Sequence, residues 1–166
     1  PAPAGRASPY GRAQRRPAFL RHRLEDFVVG ESNRLAYTAA VRMTEESGSP
    51  GQTLFLHGGC GVGKTHLLQG VARRWLERRP GAQVRYTTAE AFTNDFINAV
   101  RTNALAQFRD SYRRVALLCI DDVHFVASKE ATQAELLHTF DALNLDGARL
   151  VLASDEHPRQ IAKLSQ

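Results

Sequence analysis

Two stretches of this chain carry residue types at spacings that can do chemistry. Gly58 to Thr65 reads GGCGVGKT and fits G-x-x-x-x-G-K-[ST]. In that pattern the glycines let backbone N–H groups curl around phosphate oxygens with no Cβ in the way. Lys64 is placed to reach the outer phosphates, and Thr65 offers a hydroxyl to Mg²⁺. Leu117 to Asp122 reads LLCIDD, an apolar run ending in two acids. A carboxylate at the carboxyl end of a central strand lies at the crevice where open α/β sheets bind ligands. Asp121 is therefore the candidate for holding Mg²⁺, through water, and Asp122 for polarising an attacking water. Two solvated acids opening a loop are the plainer reading, which the upstream phosphate loop disfavours.

A third pair, Ser154-Asp155, follows another apolar run. If that run inserts between the other two strands, the pair sits beside the γ-phosphate and can position water or sense the phosphate. Otherwise it caps the following segment. Cys60 lies in the phosphate loop near a helix N-terminus, which permits redox sensitivity, whereas Cys119 reads as an inert core thiol. His57, His66, His124 and His138 show no metal-ligand spacing.

The elements that must position these residues are legible in the hydrophobic pattern. Leu35, Ala36, Ala39, Ala40 and Met43 recur at helical spacing, and Gly48 to Gly51 is a turn. Thr53 to His57 predicts a buried strand. Lys64 to Arg79 predicts a helix with Leu67, Leu68, Val71, Trp75 and Leu76 on one face, stopped by Pro80-Gly81. Gln83 to Thr87 predicts a second strand. Thr87 and Glu90 have capping-box spacing and open a helix with Phe92, Phe96, Ile97 and Val100 inward. Ala104 to Arg113 predicts a short helix. Val115 to Ile120, apolar throughout, predicts a central parallel strand. A helix over Thr132 to Leu143 and a strand over Arg149 to Ala153 complete the series. Strands alternating with helices give the α/β class, a parallel sheet flanked by helices.

Composition sets the frame. The 166 residues suit one domain, with 43% apolar and 23% charged residues. No apolar run is long enough to span a membrane. Two cysteines cannot frame a small secreted fold, so a reducing, cytoplasmic compartment is expected. The net charge of +5 resides in the leader: residues 1–23 hold six arginines and no acid. From Leu24 onward the balance is sixteen bases to seventeen acids, which does not make a globally basic surface. Residues 1–23 are expected to be a disordered basic linker, with residues 24–166 forming the nucleotide-binding domain. The absence of an initiator Met and the abrupt end suggest a piece of something longer.

Taken together, LEDFVVGESNRLAY, HGGCGVGKTHLLQGV, AEAFTNDFINAV, FRDSYRRVALLCIDDVHF, KEATQAELLHTFDAL and VLASDEHP resemble the AAA+ domain of the bacterial DnaA replication-initiator family. The resemblance runs from about Leu24 to the end and is more specific than a phosphate loop alone. It implies a phosphate-loop NTPase of the AAA+ type and an ATP/ADP switch using Mg²⁺. It further implies ATP-dependent self-assembly into a filament on origin DNA, duplex opening, and a replicative helicase among the partners. Within Phe27 to Asn33, it implies that Val28, Val29 and Asn33 serve the adenine pocket. Gly58, Gly59, Gly61, Val62, Gly63, Lys64 and Thr65 would bind phosphate, and His66 would belong to the nucleotide site. Thr65 and Asp121 would serve the metal, and Asp122, Ser154 and Asp155 the reacting end. The insert at residues 92–112 would face single-stranded DNA, with Ile97, Arg101 and Lys129 as contacts, although Ile97 equally suits core packing.

Three positions depart from the family pattern. Ala131 stands where a basic DNA contact is usual, His124 where a glutamine follows the paired acids, and Ala116 where an aspartate is usual. The family's arginine finger, fifth strand, lid with its second sensor arginine, and double-strand-binding helix-turn-helix domain would all lie beyond Gln166. A finger contributes about 10³–10⁵ in rate, so binding with negligible turnover is expected of this stretch alone. With no fifth strand beside it, Thr53 to His57 would form an unprotected edge, prone to self-association. An adaptor or helicase loader that shares the AAA+ domain and acts through protein partners is the alternative.

Overall fold

The computed structural model describes residues 20–45 and 50–160. Most of the expected linker, residues 1–19, and half of the Gly48 to Gly51 turn lie outside the described residues. Packing begins four residues before Leu24: Leu20 is buried, and the Arg21 N–H donates to Gln69 Oε1 at 3.2 Å.

The elements are helix α1 (Arg34–Arg42), strand β1 (Thr53–His57), helix α2 (Lys64–Arg78), strand β2 (Val84–Thr88), helix α3 (Ala89–Arg101), helix α4 (Leu105–Arg113), strand β3 (Leu117–Asp121), helix α5 (Glu130–Leu145) and strand β4 (Arg149–Ser154). All strand pairs are parallel, in the order β1-β4-β3-β2. The insertion of β4 between β1 and β3 follows the sequence expectation. Among the described residues β1 pairs with β4 alone and forms one edge, so it is not the buried strand expected: Leu56 is its one buried residue, and Thr53 and His57 are exposed.

Strand periodicity divides the core. Leu117 and Cys119 of β3 face one layer, with Leu67, Leu68, Val71 and Trp75 of α2. Leu118 and Ile120 face the other, with Phe92, Phe108, Tyr112 and Leu136 from α3, α4 and α5. Every residue of β3 and β4 is buried, as strands covered on both faces require. Burial pushes the Cys119 thiol well above its ordinary range, which keeps it inert.

Three further expectations need correction. First, α3 is capped by Thr88, not Thr87: β2 runs one residue further, and the Thr88 hydroxyl accepts from the Ala91 N–H at 3.1 Å. Second, Ile97 and Val100 do not face inward but are 56% and 54% exposed. The buried stripe of α3 is Ala89, Phe92, Thr93 and Ala99, with Phe96 packed beside it. Third, Leu35 is 83% exposed in the first turn of α1, and Ala40 carries that helix's buried face.

Candidate functional site

The carboxyl ends of three strands bring the chemical residues together. β1 runs into Gly58, β3 ends at Asp121, and β4 ends at Ser154 with Asp155 next in the chain. His57 is in register with Ser154, and the Gly58 N–H donates to the Ser154 carbonyl at 3.3 Å. The phosphate loop is thereby tied to the neighbouring strand end.

The loop turns into α2 at Gly63, whose φ of +94° is left-handed. A Cβ there would also lie 2.6 Å from Phe27 Cε2, so only glycine suits the position on both counts. Phe27 stacks on Tyr37 at 5.9 Å and meets His66 edge-on at 5.2 Å. The His66 Nε2–H donates to the Arg23 carbonyl at 2.7 Å, and the same ring stacks on His22 at 4.5 Å. The segment before α1 is thus laid across the start of α2. Its turn is closed by Asn33, whose Oδ1 accepts from the Gly30 N–H at 2.8 Å and whose Nδ2 donates to the Val28 carbonyl at 3.1 Å. Val28 and Val29 stay exposed on that turn, as do Gly59, Gly61 and Val62 on the loop and Thr65 on the first turn of α2.

Lys64 is buried and donates to the carbonyls of Gly58 (2.7 Å) and Gly59 (2.8 Å), and it pairs with Asp155 Oδ1 at 2.7 Å. Its three ammonium hydrogens therefore have three oxygen partners. The ammonium also holds the exposed Asp155 carboxyl below its usual range.

Asp121 is 2% exposed. Its Oδ2 accepts from the Tyr86 hydroxyl and its Oδ1 from the Asp122 N–H, both at 3.1 Å. Asp122 adopts a left-handed φ of 55°, which turns the chain out of the strand. Burial, then the Asp121 charge, raises its carboxyl above the ordinary range. The two adjacent acids thus have different environments. Ser154 is fully buried, and its Oγ accepts from the Glu156 N–H at 3.0 Å, closing the turn that follows β4. The Asp155 N–H donates to His124 Nδ1 at 3.4 Å.

The chain matches known proteins along most of its length. The model of the bacterial DnaA ATPase domain matches residues 20–166. The chain belongs to the bacterial DnaA ATPase-domain family. The chromosomal replication initiator DnaA of Levilactobacillus brevis is 49% identical over 144 residues, 87% of this chain and 32% of that protein. The chain thus spans about a third of the curated relatives it matches. Domain III of the Thermotoga maritima DnaA superposes with a TM-score of 0.81 at 39% identity, covering 85% of this chain and 59% of that one. A DnaA bound to AMPPCP and single-stranded DNA also gives 0.81 at 39% identity, with 87% and 45% covered. The fold is accordingly the AAA+ type expected from the sequence.

The remaining expected residues stand apart from this cluster. Ile97 and Arg101 occupy one exposed stripe of α3, an i,i+4 pair. The Arg101 guanidinium donates to Asn98 Oδ1 at 3.0 Å. Lys129 is exposed at the start of α5. The α3–α4 unit is anchored from below. Glu135 of α5 accepts a bidentate pair from Arg109 at 3.0 and 2.8 Å and a third bond from Arg113 at 3.1 Å. Sequence reasoning missed Phe27 as a wall of the loop, and Tyr86 and Gln69 behind Asp121. Phe27 had a signal, an aromatic just before the Val28 to Asn33 turn. Tyr86 had none beyond strand periodicity.

Proposed function

We propose that this chain is the ATP-binding module of a chromosomal replication initiator, a cytoplasmic ATP/ADP switch that controls assembly on origin DNA. One observation carries the reading: Lys64, Asp121, Asp122 and Asp155 converge at the carboxyl ends of β1, β3 and β4, beside a glycine-rich loop that opens a helix. Backbone N–H groups of Gly59 to Thr65 and the N-terminal dipole of α2 favour phosphate there. Val28, Val29 and Asn33 supply the turn for the base, and His66 holds that turn's approach against α2.

The donor set fits Mg²⁺. Thr65 and Asp121 offer a hydroxyl and a carboxylate, the hard oxygens that ion prefers. The buried Asp121 accepts from a hydroxyl and a backbone N–H, which leaves each oxygen a lone pair for the ion or its water. Bound there, Mg²⁺ would offset negative charge on the phosphates. Lys64 would exchange its Gly58 and Gly59 carbonyls for phosphate oxygens. Asp122, raised toward protonation by its surroundings, is the group to orient water. Asp155, tethered to Lys64, and Ser154, beneath it, would border the terminal phosphate.

The DnaA solved with AMPPCP and single-stranded DNA supports extending the reading to DNA. Residues 92–112 would face a single strand through Ile97 and Arg101, with Lys129 beside them. Double-strand recognition would belong to a C-terminal domain, and filament formation and helicase recruitment to the whole protein. Ala131 offers no charge, so the strand contact here would lean on Lys129 and Arg101. Equilibrium ATP binding tests the core of the reading. Lys64→Ala is expected to abolish measurable binding, and unchanged affinity would reject the site.

A further inference from the structure

The Asp121 carboxylate is held from behind by a hydrogen-bond chain outside the nucleotide motifs. The Arg21 N–H donates to Gln69 Oε1 at 3.2 Å, which fixes the orientation of that amide. Gln69 Nε2 then donates to the Tyr86 hydroxyl oxygen at 3.4 Å. An amide N–H₂ can only donate, so the phenolic hydrogen points to the acceptor on the other side. That acceptor is Asp121 Oδ2, at 3.1 Å. β2 and β3 place the pair side by side, with Tyr86 opposite Cys119 and Thr88 opposite Asp121.

From these contacts the geometry points to Tyr86 as a positioning residue, oriented by Gln69, that presents the Asp121 carboxylate to the divalent cation of a bound nucleotide. Asp121 is 2% exposed, so water does not replace a lost partner. Its Oδ1 is held by the Asp122 N–H and its Oδ2 by Tyr86, which together fix rotation of the carboxylate. One lone pair on each oxygen remains for the metal or a metal-bound water. Partners of this outer kind orient a metal ligand and raise its affinity without touching the metal. Tyr86 is not a catalytic residue in this account, and the inference rests on the metal role proposed for Asp121.

The test is binding, not turnover. A non-hydrolysable ATP analogue is titrated in EDTA, and MgCl₂ is then titrated at fixed analogue, for the wild-type chain, Tyr86→Phe and Gln69→Met. Tyr86→Phe is expected to leave affinity in EDTA unchanged and to raise the MgCl₂ concentration at half-saturation roughly three- to tenfold. Gln69→Met should shift it the same way by less. An unchanged half-saturation point in Tyr86→Phe overturns the inference. An equal loss of affinity with and without Mg²⁺ also overturns it, because that marks a merely structural role. If Tyr86→Phe fails to give a cooperative melt, Gln69→Met decides by the same criterion. A wild-type chain that binds the analogue with no Mg²⁺ dependence removes the metal role of Asp121 and this inference together. A normal wild-type response with an unmoved Tyr86→Phe removes the inference alone.

Discussion

The carboxyl end of the sheet and the outer face of α3 are both proposed to bind phosphate-bearing ligands, yet they are built oppositely. At the sheet end, charges are buried or tied: Lys64 has three oxygen partners and Asp121 is 2% exposed. On α3 the candidate contacts are exposed, and Ile97 is 56% open to solvent. What is buried near that face is its support, Phe92 packed on Phe108 and Tyr112 at 5.3 and 4.8 Å. The difference separates a preorganised small-ligand site, where each removed partner leaves an unpaired buried group, from a surface whose contacts add weakly and independently.

That contrast is broken most directly at Lys64. Lys64→Ala should lower ATP affinity by at least about 100-fold, since several charge-assisted hydrogen bonds go at once. Single-strand binding measured without nucleotide should barely change; a loss there would show that the two regions are not separable. Asp122→Asn should keep ATP bound and slow its hydrolysis by roughly 10²-fold in the assembled full-length protein. Normal turnover would reject Asp122 as the water-orienting group.

On the other side of the comparison, Ile97→Ser should weaken single-strand binding several-fold and leave ATP affinity unchanged. Because the side chain is exposed, stability should move by no more than about 0.5 kcal/mol. A cost of several kcal/mol in a denaturant melt would return Ile97 to the core. The smallest effect is in titration. Lys64 holds Asp155 below the usual carboxylate range, so this pair's contribution is present above that range and is lost as pH falls through the lowered value. Asp122 is raised, so its ionisation opposes folding as pH rises through its own value. Carbon-detected NMR should find Asp122 titrating at higher pH than Asp155; the reverse order would contradict the geometry.

The legible parts of the molecule were those where one physical constraint dominates. A strand buried on both faces admits only apolar residues, so β3 and β4 stand out as short apolar runs, and β1 shares the pattern although only Leu56 of it is buried. The Gly63 position and Lys64 declare themselves because few residue types can turn a chain around phosphate. α3 misled for a related reason. Its apolar residues occupy more of the helix than its buried stripe, so periodicity alone drew Ile97 and Val100 inward, and exposure decided otherwise. Thr87 and Thr88 are adjacent and chemically alike, and the cap fell to the one that the end of β2 leaves extended. Tyr86 was invisible because its role depends on strand order: only the pairing of β2 with β3 brings its hydroxyl to Asp121.

The most direct test of the central claim is a structure of this chain with a non-hydrolysable ATP analogue and Mg²⁺. The triphosphate is expected along Gly59 to Thr65, with Lys64 turned from the Gly58 and Gly59 carbonyls to phosphate and the metal between Thr65 and Asp121. A nucleotide seated elsewhere, or a metal with no path to Asp121 directly or through one water, would contradict it.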